Sequence, residues 1–473
     1  MKKSEIPGTH EVGAKSEILI DTHAHLDDAQ FDSDRPQVIE RAFAEGLSAI
    51  INVGSDIETS RTSIQLASEY EGIYTSVGLH PHEAAKAGEE LYKSLADLGS
   101  QPKVVAIGET GLDYYRGGLS PIPAQMKAFR RQIRLAVETG LPLIIHSREA
   151  AEDTLTILEE EADPRVKGVM HAFSYDEAIL KEALKLGLYI SIAGVITFPK
   201  SRLPKIIPQI PSERILLETD APYLTPVPKR GKRNEPLYLK YTAQRVADIL
   251  NLSYQDILRL NRVNTYHLFD IGSPPPPMIA YPIRDSLYLN ITNRCTNECT
   301  FCPRVRDPFV KGHNLRLAAE PTISEILAAV PDPAVYREIV FCGYGEPLLR
   351  LEAVLETARL LKQRGAKRIR VNTNGQANLI YRRDILPELA RVVDALSISL
   401  NTESEEPYLS LCRPQFGEGT YQAVCDFIKE AKGSVGEVVV TAVDLPEVDI
   451  DALSRMVQAL EVEFRLRRYN QVG

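Results

Sequence analysis

At 473 residues the chain is too long for one ordinary core, and its 44% hydrophobic and 25% charged content is that of a globular protein. No run of about eighteen apolar residues occurs, which excludes a transmembrane helix and predicts no membrane partner. The formal net charge is −9, with 31 basic against 38 acidic residues over 1–272 and 24 against 26 beyond. Neither half is therefore a generically basic nucleic-acid binder, and any phosphate must be met by metal ions or a local basic cluster.

Residues 1–17, "MKKSEIPGTHEVGAKSE", have a charged start and no apolar stretch, and read as a flexible leader without a signal-peptide core. From 18 to 272 short β-branched runs alternate with amphipathic stretches such as "AFRRQIRLAVETG". Strands are predicted at 18–21, 47–53, 72–78, 103–108, 142–146, 167–171, 188–192 and 214–218. Eight βα units in about 250 residues predict an α/β fold of the TIM type, a (β/α)8 barrel. In "GSPPPPM" four prolines forbid helix and favour an extended spacer, so a linker is set at 273–280. From 281 to 473 the rhythm repeats. Strands are predicted at 286–292, 338–342, 367–373, 395–400, 436–442 and 462–467, and helices at 322–330, 350–364, 382–392, 419–432 and 449–460. Six units predict a partial, open (β/α)6 barrel.

In the first domain potential metal ligands fall at strand ends. "ILIDTHAHLD" places His23 and His25 after strand one, where residues two apart point the same way. Glu109 follows strand four, His146 and His171 end strands five and six, and Asp220 follows strand eight. The active site of such a barrel lies at that C-terminal mouth, and imidazole with carboxylate suits Mg, Mn or Zn. A lone histidine at a strand end is ordinarily a structural residue and a lone carboxylate a helix cap. The joint pattern, with His80 of "VGLHPH" added, is what points to a metal centre.

The segments "DTHAHLD", "VGLHPH", "IGETGLDYY", "IIHSR", "HAFS", "LLETDAPYLTP" and "RGKRNEP" resemble the TatD family of metal-dependent hydrolases across nearly all of 18–272. The resemblance implies one or two divalent ions on His23, His25, Glu109, His146, His171 and Asp220, and hydrolysis of DNA or RNA ends. Glu109 is placed to bridge two ions, and Asp220 to ligate and accept a proton from water, whose pKa a divalent ion lowers. His80, Arg148 and, from "KRGKRN" (229–234), Arg233 are expected substrate contacts. Tyr175 and Ala172 depart from the "HCFSG" that the family often carries.

All six cysteines lie beyond residue 294, three of them in "CTNECTFC" as Cys295, Cys299 and Cys302. They form no framework of pairs, which predicts a reducing compartment and hence the cytoplasm. Zinc completed by His313 or Cys342 is one reading, and a [4Fe–4S] cluster with one open iron is the other. The Cys-x3-Cys-x2-Cys run with Phe301, joined to "GYGEP" one βα unit later, resembles the radical SAM superfamily. The resemblance implies S-adenosylmethionine held near Gly343, Gly345, Glu346 and Pro347, with Ser399 and Asn401 as further cofactor contacts. It also implies reductive cleavage to a 5′-deoxyadenosyl radical, fed by an electron donor such as flavodoxin or ferredoxin. Cys342 and Cys425 read as buried small hydrophobes, and Cys412 as core or substrate-facing. The whole reads as a hydrolase barrel fused to a radical SAM barrel. The alternatives are a hydrolase acting on a small phosphorylated or amide metabolite, or one barrel serving as a scaffold.

Overall fold

The eight apolar runs of the first half become eight parallel strands, in a computed structural model that describes residues 19–115, 119–161, 163–302 and 308–468. The predicted leader lies outside the described residues. The chain divides into two units, 1–274 and 275–473.

In the first unit the strands are β1 Leu19–Ala24, β2 Leu47–Val53, β3 Ile73–Val77, β4 Val104–Asp113, β5 Leu143–Arg148, β6 Gly168–Met170, β7 Tyr189–Ile192 and β8 Ile215–Leu217, paired in chain order. The barrel closes where Asp220 N donates to His23 O at 2.9 Å and His25 N to Ala221 O at 2.7 Å. Alternation along the strands makes two apolar layers. Leu47, Ile73, Leu143 and Ile190 face the helices. Ile20, Ile51, Ile144 and Leu216 fill the inside together with Leu268, Phe269 and Ile271. The helix Ile122–Thr139 shows how the outer layer forms. It buries Ala128, Phe129, Gln132, Ile133 and Ala136 on one stripe and ends at Gly140, whose φ of +72° suits a helix terminus. Its buried Gln132 pairs with both main-chain groups of Leu79, at 2.8 and 2.9 Å, which fixes the "VGLHPH" loop above it.

The second unit is a seven-stranded sheet in which β10 Ser286–Leu289, β13 Glu338–Phe341, β14 Ile369–Thr373, β15 Ala395–Ser399, β16 Glu437–Asp444 and β17 Glu463–Arg468 run parallel in that order. They match the six predicted strands. β9, Ala280–Ile283, adds an unpredicted antiparallel edge at the boundary between the linker and the second domain, where Pro282 is tolerated because an edge strand has no neighbour on one side. A small ribbon, β11 Phe309–Val310 and β12 His313–Asn314, stands apart from the sheet.

Two helices differ from expectation. The stretch predicted as 382–392 shrinks to Leu386–Leu389, because Arg382 at φ +53° ends a preceding helix, Ala377–Tyr381. An unpredicted helix spans Glu405–Cys412. No described helix is long and apolar enough to cross a membrane.

Candidate metal centre and cysteine loop

β1 and the segment after β8 bring His23, His25 and Asp220 together, and β4 contributes Glu109. His23 and Glu109 lie within their strands and not after them, since β1 and β4 run further than their apolar runs. His23 Nε2 and His25 Nε2 are 3.2 Å apart. Glu109 Oε2 lies 3.6 and 3.7 Å from these nitrogens, and Asp220 Oδ1 3.7 and 3.6 Å. A tetrahedron of donors about 2.1 Å from a central ion has edges of about 3.4 Å. His23, His25 and Asp220 therefore fit one divalent cation, with Glu109 Oε2 at a similar distance from both imidazoles. Asp220 reaches the cage from a left-handed backbone (φ +55°) that Asp tolerates better than most residues.

The other oxygen of Glu109 faces a second set. Oε1 lies 2.6 Å from His146 Nδ1 and 2.9 Å from His171 Nε2, and these nitrogens are 3.3 Å apart. Burial alone would raise the Glu109 carboxyl, but the imidazoles of His171 and His80, with bonds from His146 and His171, hold it well below the usual range. Asp220 is likewise lowered: burial opposes, but His25 and the other imidazoles prevail. Burial lowers His25, yet Asp220 and Glu109 outweigh it and lift the imidazole to about 9. Dense mutual pairing of imidazoles and carboxylates is what a site built around cations looks like without them.

Partners behind the rings settle which nitrogen is offered, since carbonyl and carboxylate oxygens only accept. His25 Nδ1 donates to Val53 O at 3.0 Å, leaving Nε2 for the cage. His146 Nε2 faces Asp113 Oδ2 at 3.2 Å, and His171 Nδ1 faces Glu218 Oε1 at 3.4 Å. His80 is different. Its Nδ1 accepts from His82 N at 3.1 Å, so Nε2 carries the hydrogen where it faces Glu109 Oε1 at 3.6 Å. Burial pushes this imidazole down to about 3, so the ring is neutral; with Glu109 and His146 it also makes up a donor group that could hold an ion.

Sequence reasoning missed three carboxylates. Asp21, two residues before His23, accepts from Thr219 N at 2.9 Å and Thr219 Oγ1 at 2.5 Å, tying β1 to the chain after β8; burial pushes it up to about 8. Glu218 accepts from Ala172 N at 2.6 Å behind His171, and Asp113 bridges His82 and His146. The i, i+2 spacing in "DTH" and "ETD" was the available signal.

The predicted substrate contacts fare unevenly. Arg148 is exposed at the end of β5, its guanidinium 3.8 Å over the Tyr115 ring. Arg233 is already paired: both its terminal nitrogens reach Asp34, at 2.8 and 2.7 Å, and it stacks on Phe31. Tyr175 fills the mouth, its hydroxyl 2.9 Å from Ser147 Oγ.

In the second unit the cysteine loop follows β10. Cys295, Cys299 and Cys302 are half-buried. The loop is laced to the helix Glu405–Cys412 and the turn after it: Thr300 N donates to Leu411 O at 2.9 Å, Glu298 N to Cys412 O at 3.1 Å and Gln415 N to Thr296 O at 2.8 Å. From the end of β14, Asn374 donates to Thr296 Oγ1 at 2.7 Å and Gln376 to Asn297 Oδ1 at 2.6 Å. Asn297 N and Asn374 Nδ2 also point at Cys295 Sγ, at 3.4 and 4.0 Å. Such donors suit a sulfur carrying negative charge.

An added Cβ at Gly343 would sit 2.2 Å from Asn290 Oδ1, and one at Gly345 2.2 Å from Arg294 O. These glycines bring the chain against its own cysteine loop. Glu346 is buried and accepts from Thr373 Oγ1, Asn374 N and Leu348 N at 2.9, 2.7 and 3.0 Å, with Pro347 buried beside it. Ser399 Oγ lies 3.4 Å from Thr441 Oγ1, and Asn401 donates to Cys412 Sγ at 3.7 Å. Cys412 is fully buried against Cys299, and Cys425 is core. Cys342, expected to be buried, is partly exposed beside Asn372 because it faces away from the helices.

A parallel eight-stranded barrel with this cage at the strand ends defines a metal-dependent hydrolase. The TatD related DNase family matches residues 20–270, and the radical SAM superfamily matches 289–460. The chain belongs to the TatD family and carries a C-terminal radical SAM domain. It is 44% identical over 256 residues to the uncharacterized metal-dependent hydrolase YabD of Bacillus subtilis, covering 54% of this chain and 100% of that protein. It is 35% identical over 235 residues to the 3′-5′ ssDNA/RNA exonuclease TatD of Escherichia fergusonii, covering 48% and 90%. Among solved structures, the TatD homologue YJJV of Escherichia coli K12 aligns with a TM-score of 0.51 and 30% identity, covering 54% of this chain and 98% of that one.

Proposed function

We propose that the first unit removes nucleotides from the 3′ end of single-stranded DNA or RNA, and that the second is a radical SAM enzyme. The observation that carries the hydrolase reading is the split of Glu109, one oxygen in each of two donor sets, which suits two cations on a phosphodiester. His23, His25, Glu109 and Asp220 would hold one divalent ion and Glu109, His146 and His171 a second, which would supply Lewis-acid chemistry there. The protein's own groups do the rest. Asp220, held ionised, accepts a proton from water. The Nε2–H of His80 donates to a phosphoryl oxygen. Loops after β6, β7 and β8 enclose a cavity of about 690 Å³ lined by Lys200, Arg202 and Arg230, with the Arg230 guanidinium 4.0 Å over Phe198. These cations give the acidic unit a local attraction for a phosphate backbone, and Phe198 an aromatic ring beside it.

In the second unit Cys295, Cys299 and Cys302 would hold a [4Fe–4S] cluster, which with S-adenosylmethionine supplies reductive cleavage to a 5′-deoxyadenosyl radical; flavodoxin or ferredoxin is the proposed electron donor. Asn374 and Gln376 keep the loop in place.

The test of the first reading is labelled single-stranded DNA and RNA with Mg or Mn, against His23→Ala. Stepwise 3′ shortening that His23→Ala abolishes is the expected result. Its absence sinks the nuclease reading in favour of a small phosphorylated or amide substrate. For the second, anaerobic reconstitution with iron and sulfide should give a brown protein that forms 5′-deoxyadenosine on reduction. A colourless protein with stoichiometric zinc is the contrary outcome.

A further inference from the structure

One face of the second unit's sheet is apolar and covered by helices, through Ile369 and Val371 on β14, Leu396 and Ile398 on β15, and Phe464 on β17. Strand alternation turns Arg370, Asn372, Ser397, Ser399, Arg465 and Arg467 to the opposite face. Two of these guanidiniums differ in their partners. Arg370 is satisfied: its Nε and Nη2 reach the Glu338 carboxylate at 3.1 Å each, and Nη1 donates to Asn372 Oδ1 at 2.7 Å. Arg467 is not. Its Nη2 donates to Ser397 Oγ at 3.2 Å, and among the described residues it pairs with no carboxylate. A guanidinium has five N–H donors, so among the described residues most of this fork has no acceptor. Burial, with Arg370 and Arg465 nearby, lowers its pKa against the Cys342 thiol and the Tyr288 phenol. A half-buried cation beside a second cation is costly unless an anion joins it.

The place is informative. Cys342, in electrostatic reach of Arg467, directly precedes Gly343–Pro347, and Ser397 lies two residues before Ser399. We infer that Arg467, with Arg370 beside it, seats an anionic group, a carboxylate or a phosphate, belonging to the substrate of the radical SAM unit. The inference rests on the radical SAM reading of that unit. A guanidinium fork matches both anions in two-point fashion, which a lysine does not. The methionyl carboxylate of S-adenosylmethionine has the same chemistry, so the experiment must separate the two sources.

The full-length protein, reconstituted anaerobically with its cluster and freed of other divalent ions by chelation, is titrated calorimetrically with inorganic phosphate and, separately, with S-adenosylmethionine. Arg467→Gln should weaken the phosphate step at least tenfold and Arg467→Lys several-fold, while the Kd for S-adenosylmethionine shifts less than twofold in both. Arg467→Lys keeps the charge and guards against a folding defect. A phosphate isotherm in Arg467→Gln equal to wild type overturns the inference. A tenfold loss of S-adenosylmethionine affinity also overturns it, by assigning the fork to the cofactor. A wild-type protein that binds phosphate through Arg467 yet forms no 5′-deoxyadenosine on reduction keeps the anion seat and overturns its assignment to a radical substrate.

Discussion

Glu109→Gln should strip the first unit of both its cations, whereas His146→Ala should strip it of one. Glu109 Oε2 stands 3.6 and 3.7 Å from the His23 and His25 nitrogens, and Oε1 stands 2.6 and 2.9 Å from those of His146 and His171. One side chain thus serves two positions, and the amide removes its charge from each. Losing a partner behind a ligand costs about 10–100-fold in metal affinity, so losing a direct carboxylate is set at about 100-fold or more per position, about 2.7 kcal/mol. Glu109→Asp keeps the charge but is shorter by about 1.5 Å and cannot serve both sets, so it should retain one ion. The assay is metal content by mass spectrometry after dialysis against limiting Mn, with unfolding followed by circular dichroism to confirm the fold. The expected values are two equivalents for wild type, near zero for Glu109→Gln, and near one for His146→Ala and Glu109→Asp. Two equivalents in Glu109→Gln, or none in His146→Ala, would refute the bridging arrangement.

His80→Ala should leave metal content within twofold of wild type while lowering kcat about 10²-fold, as expected for loss of one hydrogen-bond donor to a reacting oxygen; a parallel loss of metal would make His80 a ligand. Arg233→Ala should cost about 1 kcal/mol of stability in urea and leave KM for oligonucleotides within twofold, because its fork is spent on Asp34. Arg230→Ala should instead raise KM and flatten its salt dependence, and equal effects of the two variants would argue against the separate roles. Glu346 gives a pH signature. Burial lifts its carboxyl from 4.5 to about 7 against the hydrogen bonds that lower it. The folded state thus holds the proton more tightly than the unfolded chain. That stability is full below about pH 4.5 and is lost as pH rises through 7, about 3 kcal/mol in all. Urea unfolding of the cofactor-free protein at pH 5 and 8.5 should show it, and Glu346→Gln should remove that share of the difference while leaving what Asp21 and His25 contribute.

The sequence by itself determined the two-domain order, the strand rhythm and which six candidate ligands reach the mouth of the first barrel. Each of these is local: a strand is a short apolar run, and a residue at its end is carried to the mouth whatever the rest of the chain does. The same locality explains why "CTNECTFC" was legible as a ligand loop. The pieces without an apolar run of their own were less legible, such as β9 behind the prolines and the helix Glu405–Cys412, whose mixed pattern becomes helical through its contacts with the cysteine loop. Only the tertiary structure decided the pairings. Nothing in "KRGKRN" foretold that Arg233 would be spent on Asp34, some two hundred residues away in sequence, while Arg230 lines a cavity. Nor did "VGLHPH" reveal that a main-chain N–H would take His80 Nδ1 and make that ring a donor. Sequence sets which groups reach a site. The partner behind each group, supplied by distant chain, sets its charge, its tautomer and whether it is still free to act.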